Sequence, residues 1–178
     1  MPDGRLTLYI ATSVDGYIAT PDGGVAWLDD FQPDADSDVS RGYEAFYETV
    51  DCLVLGATTY EQVLDFGDWP YDDRPTSVVT SRDLPLATDA VELVEGDLAE
   101  LAADLTRRYD HVWLVGGAQL AQTFLRLGQI DRLRLTLAPV LLGDGIRLFD
   151  GGEKTLLQHQ ETTTYENGMV ELTYDVGV

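Results

Sequence analysis

Two runs of four apolar residues, Cys52-Leu53-Val54-Leu55 and Val112-Trp113-Leu114-Val115, restrict the folds open to this chain more than any other feature. Each is too short for a helix and has no polar position to turn toward water, so each reads as a strand covered on both faces. Strands of that kind belong to largely parallel sheets with helices on either side. The first run enters Gly56 and then a helical pattern of Tyr60, Val63 and Leu64, closed by Gly67. The second enters Gly116-Gly117 and then Leu120, Ala121, Phe124 and Leu125, closed by Gly128. Leu98, Leu101, Ala102 and Leu105 form the apolar stripe of a helix before the second run, and Tyr43, Phe46, Tyr47 and Val50 that of a helix before Asp51. Thr58 with Glu61, and Asp97 with Glu100, have the spacing of a capping box.

Leu6, Leu8 and Ile10 alternate with polar or small residues, as in an opening strand, and Ser77 to Thr80 and Val91 to Val94 read as further short strands. The end of the chain differs. Leu133, Leu135 and Leu137 alternate with Arg132, Arg134 and Thr136, and Val170, Leu172, Tyr174 and Val176 with Glu171, Thr173 and Asp175. Asn167-Gly168 is a two-residue hairpin signal between Glu161–Glu166 and the last strand. The expectation is a three-layer α/β/α domain spanning 1–178, its sheet mostly parallel with an antiparallel C-terminal hairpin. Asp29 to Ser40 and Phe66 to Thr76, rich in Asp with Pro33, Pro70 and Pro75, are loops.

Charge narrows the partners. The chain has 32 Asp and Glu against 11 Lys and Arg, a formal net charge of −21, which repels nucleic-acid phosphates and anionic lipid. The acids are dispersed and Lys154 is the only lysine, a pattern like that of proteins from salt-loving organisms. No apolar run spans a bilayer. Met1 to Arg5 lack the start of a secretory signal, and Cys52 alone excludes an internal disulfide. The location expected is the cytoplasm. His111 and His159 join no Ser or Cys constellation and have no metal-ligand spacing.

In an open α/β sheet, ligands bind beyond the carboxyl ends of the parallel strands. Ala11-Thr12-Ser13-Val14-Asp15-Gly16 follows the first strand, Gly56-Ala57-Thr58-Thr59 the second, Thr80-Ser81-Arg82 the third, and Gly116-Gly117-Ala118-Gln119 the Trp113 strand. Two of these are glycine turns opening a helix, where free N–H groups and the helix dipole favour phosphate. Ser81 and Arg82 suit an additional phosphate. Each feature has a plainer reading: tight turns for Gly56 and Gly117, a helix cap for Thr58, a solvated surface cation for Arg82. Gly-x-Gly-x-x-Gly is missing. Spacing alone leads to a nucleotide-binding α/β domain.

Five stretches in order resemble the dihydrofolate reductase-like family: Ser13 to Ile18, Gly56 to Glu61, Val79 to Arg82, Val115 to Leu120, and Ile130 through Pro139 and Gly145 to Phe149. The last narrows the resemblance to the reductase domain of the bifunctional riboflavin-biosynthesis deaminase–reductase and its stand-alone relatives. The resemblance covers nearly the whole chain and implies a mixed sheet of about eight strands, with NADPH as hydride donor. It puts the Ala11 backbone near the nicotinamide carboxamide and makes Asp15, Gly16 and Ile18 part of a mobile loop over the cofactor. It gives the pyrophosphate to Gly56, Thr58 and Thr59 on one side, and to Val115, Gly116, Gly117, Ala118, Gln119 and Leu120 on the other. It counts Thr80 among the cofactor-binding residues and gives the adenosine 2′-phosphate to Ser81 and Arg82. It also implies a cis Gly116–Gly117 peptide and a homodimer formed through the C-terminal sheet region.

Ala57 stands where many relatives have Arg, which leaves NADH open as an alternative cofactor. No acid sits four residues before Tyr43, where true dihydrofolate reductases carry one; that position is Val39. Asp29 and Asp30 are therefore the candidates for supplying a proton, with solvated loop acids as their other reading. Trp27, Phe46 and Tyr47 are candidates for the wall of a small-molecule substrate site, and Phe46 reads equally well as core. The function implied is an NADPH-dependent reductase of a small planar heterocycle, pterin-like or a riboflavin-pathway pyrimidine. The alternative is a catalytically silent NADP-binding regulatory protein.

Overall fold

A computed structural model describes residues 4–72 and 74–177. Met1 to Asp3, part of the segment read as lacking a secretory signal, lie outside the described residues, as does Asp73 within the polar Phe66 to Thr76 stretch. Strands β1 (Arg5–Ser13), β3 (Cys52–Gly56), β4 (Thr76–Val79), β5 (Val91–Val94), β6 (His111–Gly116), β7 (Arg132–Ala138), β9 (Leu157–Thr164) and β10 (Val170–Val176) form one eight-stranded sheet in the order β5-β4-β3-β6-β1-β7-β10-β9. The pairs from β5 through β7 are parallel, and β10 runs antiparallel to both β7 and β9. This is the three-layer, mostly parallel sheet with an antiparallel end expected from the sequence.

The helices divide by face. The aromatic stripe of α1 (Asp38–Glu48) and the Tyr60 and Val63 stripe of α2 (Ala57–Asp65) cover Leu53, Leu55, Val78 and Trp113. On the opposite face α3 (Leu98–Arg108) and α4 (Ala118–Arg126) cover Leu6, Leu8, Cys52, Val54, Val112 and Leu114. Neighbouring residues of β3 and β6 thus enter different cores, which is why the runs Cys52–Leu55 and Val112–Val115 have no polar position. Asp97 caps α3, accepting from Ala99 N–H and Glu100 N–H at 2.9 Å each, and Ser37 caps α1.

A two-stranded sheet of β2 (Tyr17–Ala19) and β8 (Ile146–Arg147) had no sequence signal; strands this short have no visible period. The expected two-residue hairpin is longer. Tyr165 N–H donates to Met169 O (2.9 Å) and Gly168 N–H to Tyr165 O (3.0 Å), which leaves three residues in the loop, and Gly168 takes the left-handed position at φ 88°.

The start of β6 carries a buried histidine. His111 Nε2 meets the Thr7 hydroxyl (2.9 Å), and Nδ1 faces the hydroxyl and carbonyl of Thr49. Burial, followed by the charge of Arg5, holds its pKa below the ordinary 6.5, against opposing contributions from Thr49 O and Asp51. The unfolded chain therefore takes up this proton first as pH falls. The associated stability is complete above about pH 6.5 and declines on acidification toward the lowered folded value. His111→Gln should flatten that part of the decline in denaturant midpoints measured at successive pH values. Equal slopes in both proteins would refute the assignment.

Candidate functional site

The centre of the sheet contains the switch in direction at which open α/β sheets form clefts. The chain leaving β1 passes to α1 on one face, and the chain leaving β6 enters α4 on the other. Register shows the cleft. β1 pairs with β6 from Arg5 opposite His111 only as far as Leu8 opposite Leu114, whereas β1 and β7 remain paired to Ser13 opposite Ala138. Beyond Leu114 the strands part, leaving Ile10 and Ala11 facing Val115 and Gly116 across a crevice.

Two helix N-termini flank it. α4 begins at Gly117 and α2 at Gly56, and neither has a side-chain cap. The Thr58–Glu61 capping box expected from spacing does not form: Gly56 is the N-cap and Thr58 lies inside the first turn. Glu61 is held elsewhere, and the first N–H groups of α2 keep the open valences of an uncapped helix. The two turns are close together. A Cβ on Gly56 would lie 3.8 Å from Gly117 N, one on Gly117 would lie 3.1 Å from Thr59 Oγ1, and one on Gly116 would lie 3.3 Å from Ile10 Cδ1. Gly116 has φ 141°, a conformation side chains disfavour, and the Gly116–Gly117 peptide is cis, as the resemblance implied. Ala118 and Leu120 turn their side chains into the core, so this part of α4 offers only backbone toward the crevice, beside the exposed Gln119.

Thr80, Ser81 and Arg82 follow β4 on the far side of α2. Their loop is held by the fully buried Tyr60, whose hydroxyl donates to Pro85 O (2.7 Å) and accepts from Ala87 N–H (2.9 Å). Thr80 Oγ1 accepts from Arg82 N–H. The Arg82 guanidinium makes a two-pronged contact with Glu61 at 3.1 and 2.8 Å, with both side chains about half exposed. That hydrogen bond raises the Arg82 pKa and lowers that of Glu61.

The loop after β1 is tied down rather than free. The Asp15 carboxylate accepts from the Ser13 hydroxyl (2.5 Å), Leu142 N–H (3.1 Å) and Gly143 N–H (2.8 Å), which together lower its pKa. Gly16 O accepts from Leu148 N–H, and Ile18 lies within β2, packed on the core beneath α4. In this conformation the loop that the resemblance places over the cofactor is hydrogen-bonded to residues 140–148, in part through Asp15.

The α1 face of the sheet holds the candidate substrate residues and revises several. Phe46, 4% exposed, stands edge-on to Tyr9 (4.4 Å) and Trp113 (5.4 Å) and is a core residue. Tyr47 stacks on Tyr43 and carries the Arg74 guanidinium 3.8 Å above its ring. Tyr47 OH and Trp27 Nε1 are buried without a hydrogen-bond partner among the described residues. Asp29 and Asp30, the proton-donor candidates, lie exposed on a 3-10 helix, Ala26–Phe31. A buried acid on this face is Glu171 of β10, which sequence reading passed over. It is 4% exposed and opposite Thr136, which is in turn opposite Ala11. Its carboxylate accepts from Arg134 Nε (2.6 Å), Tyr9 OH (3.2 Å), Tyr165 OH (3.2 Å) and Thr136 Oγ1 (3.4 Å). Burial, then Glu171, raises the Tyr9 and Tyr165 pKa values, and burial pushes Tyr43 up to about 12, so these phenols remain donors at neutral pH.

The family described as the RibD C-terminal domain matches residues 5–171. YwjB of Bacillus subtilis, an uncharacterised protein, is 38% identical over 147 residues, 82% of each chain. The riboflavin biosynthesis protein RibD of Corynebacterium ammoniagenes is 30% identical over 163 residues, 80% of this chain and 45% of that one. Among solved structures, a protein of Shewanella sp. PV-4 provisionally assigned to riboflavin biosynthesis has a TM-score of 0.85 at 31% identity, over 98% of this chain and 99% of that one. A dihydrofolate reductase of Enterococcus faecalis complexed with NADP(H) shares the fold, with a TM-score of 0.71 at 18% identity over 99% and 98% of the two chains.

Proposed function

The chain belongs to the RibD C-terminal domain family, and on that premise we propose that it is an NADPH-dependent reductase of a small planar nitrogen heterocycle, of the pyrimidine or pterin kind. The observation that carries this reading is the β1–β6 crevice flanked by two helix N-termini without side-chain caps. A dinucleotide fits those residues. Its pyrophosphate would be held by the α2 turn (Gly56, Thr58, Thr59) and the α4 turn (Gly116 to Leu120), where a Cβ on Gly117 would crowd Thr59 Oγ1. Ala11 and Val115 would border its nicotinamide.

The bound cofactor supplies the hydride. The chain holds the two reacting rings face to face and keeps water away from them. On the substrate side, Glu171 fixes the hydroxyls of Tyr9 and Tyr165, and the buried Tyr47 OH and Trp27 Nε1 are donors a heterocycle satisfies. Loss of NADPH absorbance with a panel of pyrimidines and pterins, across a salt series, tests the reading. Folded protein that binds no NADPH refutes it.

Arg82 gives the cofactor preference. Its pair with Glu61 is exposed and worth little, so a 2′-phosphate displaces it. Arg82→Gln should weaken NADPH binding by about tenfold or more and leave NADH unchanged, since a charge-assisted hydrogen bond contributes roughly 1.5–3 kcal/mol. Glu61→Gln should tighten NADPH binding. Parallel titrations with both cofactors measure this, and equal loss for the two removes Arg82 from the 2′-phosphate.

A second reading, binding without turnover, draws on Glu171, whose two oxygens are already engaged by Arg134, Thr136, Tyr9 and Tyr165. It requires NADPH binding with no consumption across the whole panel. We further propose a homodimer formed along the exposed edge strand β9, for which light scattering of the eluted protein is the test.

A further inference from the structure

A second cavity, of about 240 Å³, opens at the other edge of the sheet, where the parallel strands begin. Its lining is out of proportion to the chain: of only 11 Lys and Arg residues, Arg5, Arg132 and Arg134 meet here. Strand register brings them together. Thr7 lies opposite Arg132 and Tyr9 opposite Arg134, and Arg5 is one pleat before Thr7 on the same face of β1. Thr7, Thr49, Thr173 and the His111 ring complete the polar lining, and Glu161 of β9 is its carboxylate.

Two of the arginines are partly neutralised. Arg132 meets Asp175 at 2.7 Å and Arg134 meets Glu171 at 2.6 Å. Arg5 forms no ion pair among the described residues and is the cation left over. The local field follows from this. The Arg5 pKa is lowered first by burial and then by Arg132, with Asp175 and Asp131 opposing. His111 is lowered by burial and then by Arg5. Each group thus registers a neighbouring positive charge inside a protein of net charge −21. Guanidinium forks grouped with hydroxyls match the tetrahedral oxygens of a phosphoryl group better than an isolated charge does.

We propose that this cavity binds a small phosphate, held by Arg5 and Arg132 with the Thr7 and Thr173 hydroxyls. The volume lies below the roughly 300–1,000 Å³ of pockets for drug-sized ligands, a size suited to inorganic phosphate or a short phosphate monoester. The dinucleotide reading uses the opposite edge of the sheet, so neither stands on the other.

The test is an NMR titration following arginine Nε–H and His111 ring signals, with inorganic phosphate and with glycerol phosphate at fixed ionic strength. The expected result is saturable movement of Arg5, Arg132 and His111. Tighter binding of one probe identifies which phosphate source the site prefers. Arg5→Gln should weaken binding by about tenfold or more, Glu161→Gln should tighten it a few-fold, and Arg82→Gln should leave it unchanged. Absence of saturation, equal affinity in Arg5→Gln, or loss in Arg82→Gln instead overturns the proposal. If Arg5→Gln does not fold, Glu161→Gln at its exposed position decides alone, and unchanged affinity there counts against the site.

Discussion

Gly116→Ala should abolish measurable NADPH binding, with a loss of affinity of about 100-fold or more. Two constraints act at this position. Its φ of 141° is open to glycine and strained for alanine, and the added methyl would lie 3.3 Å from Ile10 Cδ1 across the crevice. To relieve both, the backbone must move the α4 turn, whose N–H groups are the phosphate donors in the proposed site. A shift of about 1 Å in such groups is enough to forfeit charge-assisted hydrogen bonds. The strain should also lower folding stability by about 1–3 kcal/mol, the cost of a disallowed conformation. Fluorescence or calorimetric titration of folded Gly116→Ala checks the first effect, and denaturant melts the second. Gly117→Ala serves as a graded control. Its methyl meets the Thr59 hydroxyl at 3.1 Å, the end of a side chain that can rotate, so its loss should be smaller. Unaltered NADPH affinity in Gly116→Ala would remove the β1–β6 crevice as the cofactor site.

Glu171→Ala should be the most destabilising polar substitution in the chain. It leaves the Arg134 guanidinium over the Tyr9 and Phe46 rings, about 5 Å from each, without its carboxylate, and removes the acceptor shared by three hydroxyls. A fully buried pair broken from one side costs about 3–5 kcal/mol. The Arg134 side chain is 23% exposed, which reduces the expected loss to about 2–3 kcal/mol. For a domain of this size that is a fall in Tm of roughly 5–10 °C. Adding Arg134→Met should recover part of the loss, since it removes the unpaired charge, and the double-mutant cycle isolates the pair. Glu171→Gln keeps the shape, and under the reductase reading should lower kcat by about 100-fold with NADPH affinity unchanged. A kcat equal to wild type would confine Glu171 to a structural role.

The fold was readable wherever burial acts on consecutive residues. The apolar runs of β3 and β6 carry no polar position because each lies between two cores, and the Asp97 cap is a local hydrogen bond visible in local spacing. Reading failed where the deciding partner is distant. Thr58 and Glu61 have the right separation, yet Glu61 turns to Arg82, brought beside α2 by the pairing of β3 with β4. Glu171 occupies a polar position of an alternating strand and so reads as solvent-facing. It is buried because the α1 aromatics and Tyr165 cover that face, while the apolar positions Leu172, Tyr174 and Val176 line the other. A signal was present: Arg134 and Thr136 on one strand and Glu171 on its antiparallel neighbour are complementary. It becomes legible only once the register of β7 and β10 is known. The glycine turns after β3 and β6 open helices as their spacing suggested, and the structure adds how closely the two converge.

The placement of β1 has a consequence for how the protein is made. Strand β1 lies at the centre of the sheet, and its partners β6 and β7 begin more than a hundred residues after its start. While the ribosome is still producing the first half of the chain, Leu6, Leu8 and Ile10 have no sheet to join, so early domain closure is not available to the nascent protein. Translation then completes the site in two stages. The glycine turns are in place once α4 has emerged, whereas Glu171 arrives only with the last strand. A ribosome-held chain halted between those points is expected to have the cleft proposed for the dinucleotide before it has the Glu171 carboxylate.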